Sequence, residues 1–325
     1  MKKIYPIKKN NRFYMHEEHL PESILWETLP SFLVSLRKRK ERVPHALHEW
    51  HVPHIPPSSS HELRITWIGH ATFLIQVRGI SILTDPIFGN VSLLYPRIVP
   101  AGVACVDLPP IDYVLLSHNH RDHMDSSSLY ALKEKHACTV LVPEGDKRWF
   151  DKHGFAPVIE NMWWQTSTFE IPGASKQPLR CTFLPAVHWS QRGIFDKNKS
   201  LWGSWMIEID GYTLYFAGDT AYGEHFLSIR HHFPAIDIAL MPVGPCQPRH
   251  VMKKTHTNAH EAGQGFLDLN AQFFIPMHWG TFLFGTDHFA LPITLLQEWW
   301  QQEQDQLRSK QLHILKSGQS FVMDK

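Results

Sequence analysis

The sequence predicts a layered α/β sandwich, and three observations predict it. From residue 63 onward short apolar runs of strand length recur, helical periodicity appears between some of them, and a histidine or aspartate follows several runs directly. Strands interleaved with helices bury two sheet faces when the helices pack outside and the sheets stack inside. At 325 residues, 43% of them hydrophobic, the chain can bury such a core.

Residues 1–61 read as an N-terminal extension. Leu25, Leu29, Phe32, Leu33 and Leu36 recur at helical spacing, Pro30 interrupts them, and Arg37, Lys38, Arg39, Lys40 and Arg42 follow. This predicts a short, kinked amphipathic segment over residues 24–42. Its apolar stripe and basic flank suit peripheral contact with an anionic membrane, or packing on the chain's own core with the basic run solvated. The run from Val52 to Ser60, rich in proline and serine, predicts an extended linker, so the main domain spans 62–325.

Within the main domain, Ile65–Ile68, Thr72–Val77 and Ile80–Thr84 predict a hairpin-rich sheet. Tyr113–Leu116 predicts a strand, Ser126–His136 a helix, and Val140–Val142 and Thr182–Pro185 further strands. After a tryptophan-rich loop region, Tyr212–Phe216, Ile236–Met241 and Phe273–Met277 complete the strand series, with a helix near 259–269 before the last.

Charge and cysteine usage exclude several classes. With 32 basic and 31 acidic side chains the net charge is +1, so no global field draws the protein to nucleic acid. Cys105, Cys138, Cys181 and Cys246 make no CxxC pair, which predicts buried free thiols and a reducing compartment. No apolar stretch follows the charged start as a secretory signal requires, and no window approaches the roughly 18 to 20 apolar residues of a membrane span. A cytoplasmic protein is expected, with any membrane contact peripheral on the inner surface.

The strongest signal is His118-Asn119-His120-Arg121-Asp122-His123, three imidazoles and a carboxylate directly after an apolar strand. Alternation along HxH points His118 and His120 the same way, while Asp122 and His123 are free to turn to a second cation. Four residues cannot complete two metal shells, so further ligands are required at later strand ends. His188, Asp219 and His278 each follow an apolar run and supply them.

HxHxDH, then a histidine, then Gly-Asp-Thr, then a last histidine resembles the metallo-β-lactamase superfamily. The resemblance implies an αββα sandwich with its site at one edge. It also implies one metal on His118, His120 and His188, the other on Asp122, His123 and His278, and Asp219 as the bridge. The bridging aspartate, where true β-lactamases typically carry cysteine, implies a phosphodiesterase, lactonase or thioesterase. Trp67-Ile68-Gly69-His70-Ala71-Thr72, Leu83-Thr84-Asp85-Pro86-Ile87-Phe88, Leu108–Asp112, Leu201-Trp202-Gly203-Ser204-Trp205 and His278-Trp279-Gly280-Thr281-Phe282 further resemble the N-acylphosphatidylethanolamine-hydrolysing phospholipase D family over residues 63–320.

Asp85 and His70 are expected to orient metal-bound histidines or to serve as structural turn residues. The resemblance implies that His256 is a substrate-side histidine that protonates the leaving oxygen or holds a phosphate, while the residues alone read equally as a solvated loop histidine. Arg249, Lys253 and Lys254 are either local positive charge for a phosphate or solvated loop residues. Trp163, Trp164, Trp299 and Trp300 read as packing residues or as the lining of an acyl pocket.

Two divalent ions roughly 3.5 to 4 Å apart lower the pKa of a shared water and stabilise charge on the atom that the resulting hydroxide attacks. The expected function is hydrolysis of a phosphodiester such as a phospholipid, with attack at phosphorus and Asp122 or Asp219 orienting the nucleophile. A lactonase or other ester hydrolase using the same two metals is the alternative. Zinc is the default for such ligands, and iron or manganese fits the same set. A nuclease is disfavoured by the charge balance and by the short interval from Asp219 to His278. A metal-binding protein without turnover is disfavoured because no ligand is missing.

Overall fold

The computed structural model describes residues 1–15, 39–43, 46–171 and 177–324. The elements are β1 (Ile7–Lys9), β2 (Arg12–Tyr14), α1 (Arg39–Arg42), β3 (Leu63–Gly69), β4 (Thr72–Val77), β5 (Ile80–Thr84), β6 (Tyr113–Leu115), α2 (Ser126–Lys135), β7 (Thr139–Pro143), α3 (Lys147–Lys152), β8 (Val158–Asn161) and β9 (Thr166–Phe169). They continue with β10 (Leu179–Leu184), β11 (Ser204–Ile209), β12 (Tyr212–Phe216), α4 (His225–His232), β13 (Ile238–Pro242), α5 (Arg249–Met252), α6 (Ala259–Leu269), β14 (Phe273–Met277), α7 (Leu291–Gln302), β15 (Gln311–Leu312) and β16 (Ser320–Met323).

Two seven-stranded sheets result, ordered β16-β3-β4-β5-β6-β7-β8 and β9-β10-β11-β12-β13-β14-β15. Each has the same plan of three antiparallel ladders followed by three parallel ones. Alternation sorts the side chains of the first sheet. Phe73, Ile75, Leu115 and Leu141 face the second sheet, while Leu74, Val114, Leu116, Val140 and Val142 pack outward with Leu129 and Leu132 of α2 and Phe150 of α3. Phe226 of α4, Phe266 of α6 and Leu296 and Trp299 of α7 belong to the larger cluster, which includes the second sheet. The expected αββα sandwich is present.

Local chemistry explains the helix starts. Asp125 caps α2 by accepting from the Ser128 amide at 2.9 Å. Asn258 and Glu261 form a reciprocal capping box on α6, which ends at Asn270 in the left-handed conformation. These two helices match the expected positions, whereas α7 and the edge strands β8, β9 and β16 add to the expected series. The tryptophan-rich region read as a loop contains β11.

The N-terminal extension packs against the rest. Phe13 is in the central core, Ile4 accepts from the Trp164 indole at 2.7 Å, and Trp50 meets Trp279 edge-on at 5.4 Å. The expected linker is extended but anchored: Val52 donates to Ser317 O at 2.8 Å and Gln76 Nε2 to Pro57 O at 2.9 Å. Leu25 to Leu36 and Arg37 and Lys38 lie outside the described residues. Arg42, expected in the basic flank, is buried and donates Nε to Asp287 O at 2.6 Å, because that carbonyl offers its charge a partner inside the protein. All four cysteines are free, three of them buried. Among the described residues no helix is long and apolar enough to cross a membrane.

Candidate metal centre

The candidate residues follow strands whose carboxyl ends share one edge of the sandwich. His70 follows β3, Asp85 follows β5, His118 to His123 follow β6, His188 follows β10, Asp219 follows β12 and His278 follows β14. Two indoles hold these ends in place. Trp205 Nε1 donates across the sheets to Leu116 O, and Trp202 Nε1 donates to Ala186 O, each at 2.9 Å. The Leu201–Trp205 string therefore braces the strands that carry His118 and His188. Gly218 lets Asp219 approach, with φ at +57° and a Cβ there placed 2.5 Å from Ser117 Cβ.

The side chains gather into two groups. His118 Nε2 lies 2.8 Å from His120 Nδ1, which lies 3.2 Å from His188 Nε2. Asp122, His123 and His278 gather with His70 as the second group. Asp122 Oδ2 is 3.4 Å from His123 Nε2, 3.9 Å from His278 Nε2 and 3.0 Å from His70 Nε2. Asp219 reaches both groups: Oδ1 lies 3.1 Å from His278 Nε2, and Oδ2 lies 3.3 Å from His123 Nε2 and 3.8 Å from His188 Nε2.

The chemistry of these donors fits metal ions. His188 Nδ1 is 2.8 Å from Thr255 O and His278 Nδ1 is 2.9 Å from Gly244 O. A carbonyl only accepts, so each Nδ1 carries the proton and each Nε2 presents a lone pair to the site. His118 follows the same logic one residue removed. Ser117 Oγ gives its proton to Asp85 Oδ2 at 2.5 Å and so accepts from His118 Nδ1 at 2.9 Å, leaving the His118 Nε2 lone pair exposed to the first group. Lone pairs of buried imidazoles aimed at one another are repulsive unless a cation sits among them. His278 Nε2 and Asp219 Oδ1 are buried atoms without a hydrogen-bond partner, which is the same demand seen atom by atom.

The electrostatics agree. Burial, reinforced by neighbouring histidines, holds His118 neutral and lowers His120 to about 3, and burial lowers His188 to about 4. Burial opposes charge on Asp122 and Asp219, but His123 and its neighbours outweigh it and keep both carboxyls well below the usual range. Burial likewise opposes a proton on His123, yet the two carboxylates draw one there, and the same field draws a cation.

All seven residues of the expected ligand set are thus brought together. Asp85, held by the Ser117 amide at 2.7 Å, orients His123 through a 2.7 Å contact to Nδ1. His70 does more than a turn residue: its carbonyl accepts from the His278 amide at 3.2 Å while its ring, kept neutral near 3 by burial, faces Asp122. His256 stands on the site, Nδ1 being 3.7 Å from Asp219 Oδ2. Arg249 serves structure, donating to His256 O at 3.1 Å and pairing with Glu261. Trp163 is a core residue that donates to Trp202 O, and the tryptophan beside the site is Trp189, whose ring is 4.4 Å from that of His120. Sequence reasoning missed Ser117, Thr255 and Gly244, whose contribution comes partly from backbone carbonyls that carry no residue signal.

Comparison with known proteins accords with this geometry. The family model of the beta-lactamase superfamily domain matches residues 81–279, and the chain belongs to the metallo-β-lactamase superfamily. Over 232 residues it is 32% identical to a UPF0173 metal-dependent hydrolase of Nitratidesulfovibrio vulgaris, covering 68% of this chain and 82% of that one. It is also similar to the mitochondrial N-acyl-phosphatidylethanolamine-hydrolyzing phospholipase D of Saccharomyces cerevisiae, at 33% identity over 245 residues and 72% of this chain. The chain spans about half the length of that relative, 52%. A metallo hydrolase of the archaeon Ignicoccus hospitalis shares the fold, with a TM-score of 0.61 at 19% identity over 81% of this chain and 99% of that one.

Proposed function

We propose that the chain is a dinuclear phosphodiesterase of the N-acylphosphatidylethanolamine phospholipase D type, acting on a phospholipid or a related small phosphodiester. The observation that carries the dinuclear reading is Asp219, which reaches His278 with one oxygen and both His123 and His188 with the other. His118, His120 and His188 hold one ion, Asp122, His123 and His278 the other. The preference for a phosphodiester rests on the likeness to the yeast relative.

Two divalent ions held there would supply an acidified water and Lewis acidity toward an ester. Asp85 and Ser117 fix the ring orientations of His123 and His118, Thr255 and Gly244 those of His188 and His278. His70 braces the donor set through the His278 amide and Asp122. Burial keeps His256 neutral despite Asp219, so it offers a hydrogen-bonding nitrogen to a phosphoryl or leaving-group oxygen and returns a proton only after gaining one from solvent. Zinc is the expected metal, with iron or manganese compatible with the same donors.

Metal analysis with a hydrolysis screen of phosphodiesters, glycerophospholipids and lactones tests this reading. The expected result is about two metal equivalents and turnover of phosphodiesters. One equivalent after reconstitution removes the dinuclear reading, and lactone turnover without phosphodiester turnover replaces the substrate class.

A further inference from the structure

Two loops beside the candidate metal centre are built alike, and each carries a pair of large apolar residues into water. The first follows β5. Val91 N donates to Tyr95 O at 3.1 Å, Tyr95 N to Ser92 O at 3.2 Å and Arg97 N to Asn90 Oδ1 at 2.8 Å, so the loop closes on itself. Leu93 and Leu94 lie within that closure, 97% and 54% exposed. The second follows His188. The Asp196 carboxylate accepts from the amides of Arg192 at 3.2 Å and Gly193 at 2.8 Å, and Asn198 N donates to Ser190 O at 2.7 Å. Ile194 and Phe195 lie within it, 83% and 81% exposed.

The base of each loop is tied to the site. The Tyr95 ring is 5.0 Å from that of Phe284, which is 6.0 Å from the ring of His278. The Arg192 guanidinium donates to Met124 O at 2.6 Å and Ser126 Oγ at 2.5 Å, next to the His118–His123 run. Single exposed hydrophobes are ordinary, whereas two braced pairs at one site are not. Basic residues stand close by: Arg121 is exposed within the His118–His123 run itself, and Lys197 lies over Trp189 at 5.4 Å.

We propose that these loops dock the metal centre on a lipid surface, with Leu93, Leu94, Ile194 and Phe195 entering the acyl boundary and Arg121 and Lys197 meeting anionic headgroups. The choice of a lipid surface rests on the function proposed above. Four side chains on two tips fall far short of the roughly 800 Å² per partner of a stable protein interface, while insertion among acyl chains needs no complementary shape.

Co-sedimentation of the 325-residue chain with phosphatidylethanolamine–phosphatidylglycerol vesicles tests the docking. Leu93→Ser with Leu94→Ser, and Ile194→Ser with Phe195→Ser, are each expected to weaken vesicle partitioning about tenfold, and the fourfold variant to remain in the supernatant. Melting temperature and metal content, read alongside, report the fold. A fourfold variant that pellets like the wild type, pairs of substitutions without effect, or a wild type that stays in the supernatant overturns the docking. Wild-type turnover of a water-soluble phosphodiester is measured separately. Its absence together with absence of glycerophospholipid turnover defeats the phosphodiester reading, while vesicle binding still decides the docking.

Discussion

Asp85 Oδ2 lies 2.7 Å from His123 Nδ1, and both side chains are sealed from water. The same oxygen receives the Ser117 hydroxyl, so one buried carboxylate orients His123 directly and His118 through Ser117. Burial raises the Asp85 carboxyl, and His123 and Ser117 work against that rise. Asp85→Asn keeps the shape and loses the charge that steadies both rings. Metal affinity is expected to fall about 10- to 100-fold, read by titration with a competing chelator.

Asp219→Asn removes the negative charge shared by the two groups. The expected outcome is a folded protein that retains about one metal equivalent and has lost nearly all hydrolysis. Metal analysis and a thermal melt on the same sample check it, and full metal content with wild-type turnover contradicts it.

Gly218→Ala attacks the same aspartate through the backbone. The added Cβ would meet Ser117 Cβ at 2.5 Å and Gly203 O at 2.9 Å at a φ of +57°. A loss of about 3 kcal/mol is expected from strain and crowding together, measured by urea unfolding, with metal binding weakened as well.

His256→Gln separates chemistry from assembly. Since the ring faces Asp219 at 3.7 Å and lies outside the seven-residue donor set, the variant is expected to keep both metals and to lose at least about tenfold in kcat. Loss of a metal equivalent instead makes His256 a ligand.

Acid sensitivity follows from His225, which is buried beside Thr220 and lowered to about 3 by burial. Folded protein keeps this ring neutral, whereas the unfolded chain takes up a proton near 6.5. Its contribution to stability is therefore complete above pH 6.5 and is lost as pH falls toward 3, by about 1.4 kcal/mol per pH unit. In the metal-free protein, His225→Gln is expected to make stability between pH 4 and 6 shallower by about that slope. An unchanged slope contradicts it.

The seven donors were legible because they stand at or just beyond the ends of apolar runs, and a strand end fixes a side chain without help from distant sequence. The helix at 259–269 was legible through periodicity alone. The short, partly polar strands β8 (Val158–Asn161) and β9 (Thr166–Phe169) were not, since strand pairing supplies a stability that four residues do not announce. Trp202 and Trp205 stood out only within a string of family resemblance, and only the folded chain shows their indoles reaching Ala186 and Leu116. His70 shows the same limit, because its partners Asp122 and His278 come from other strand ends.

The last strand, β16, has a consequence for how the chain is made. It closes the edge of β3, with Ser320 Oγ 2.8 Å from Thr66 Oγ1 across a separation of 254 residues. A nascent chain leaving the ribosome therefore carries β3 with one side unpaired until the segment that forms β16 has been translated. During that interval the bare edge is a template for strands of other chains.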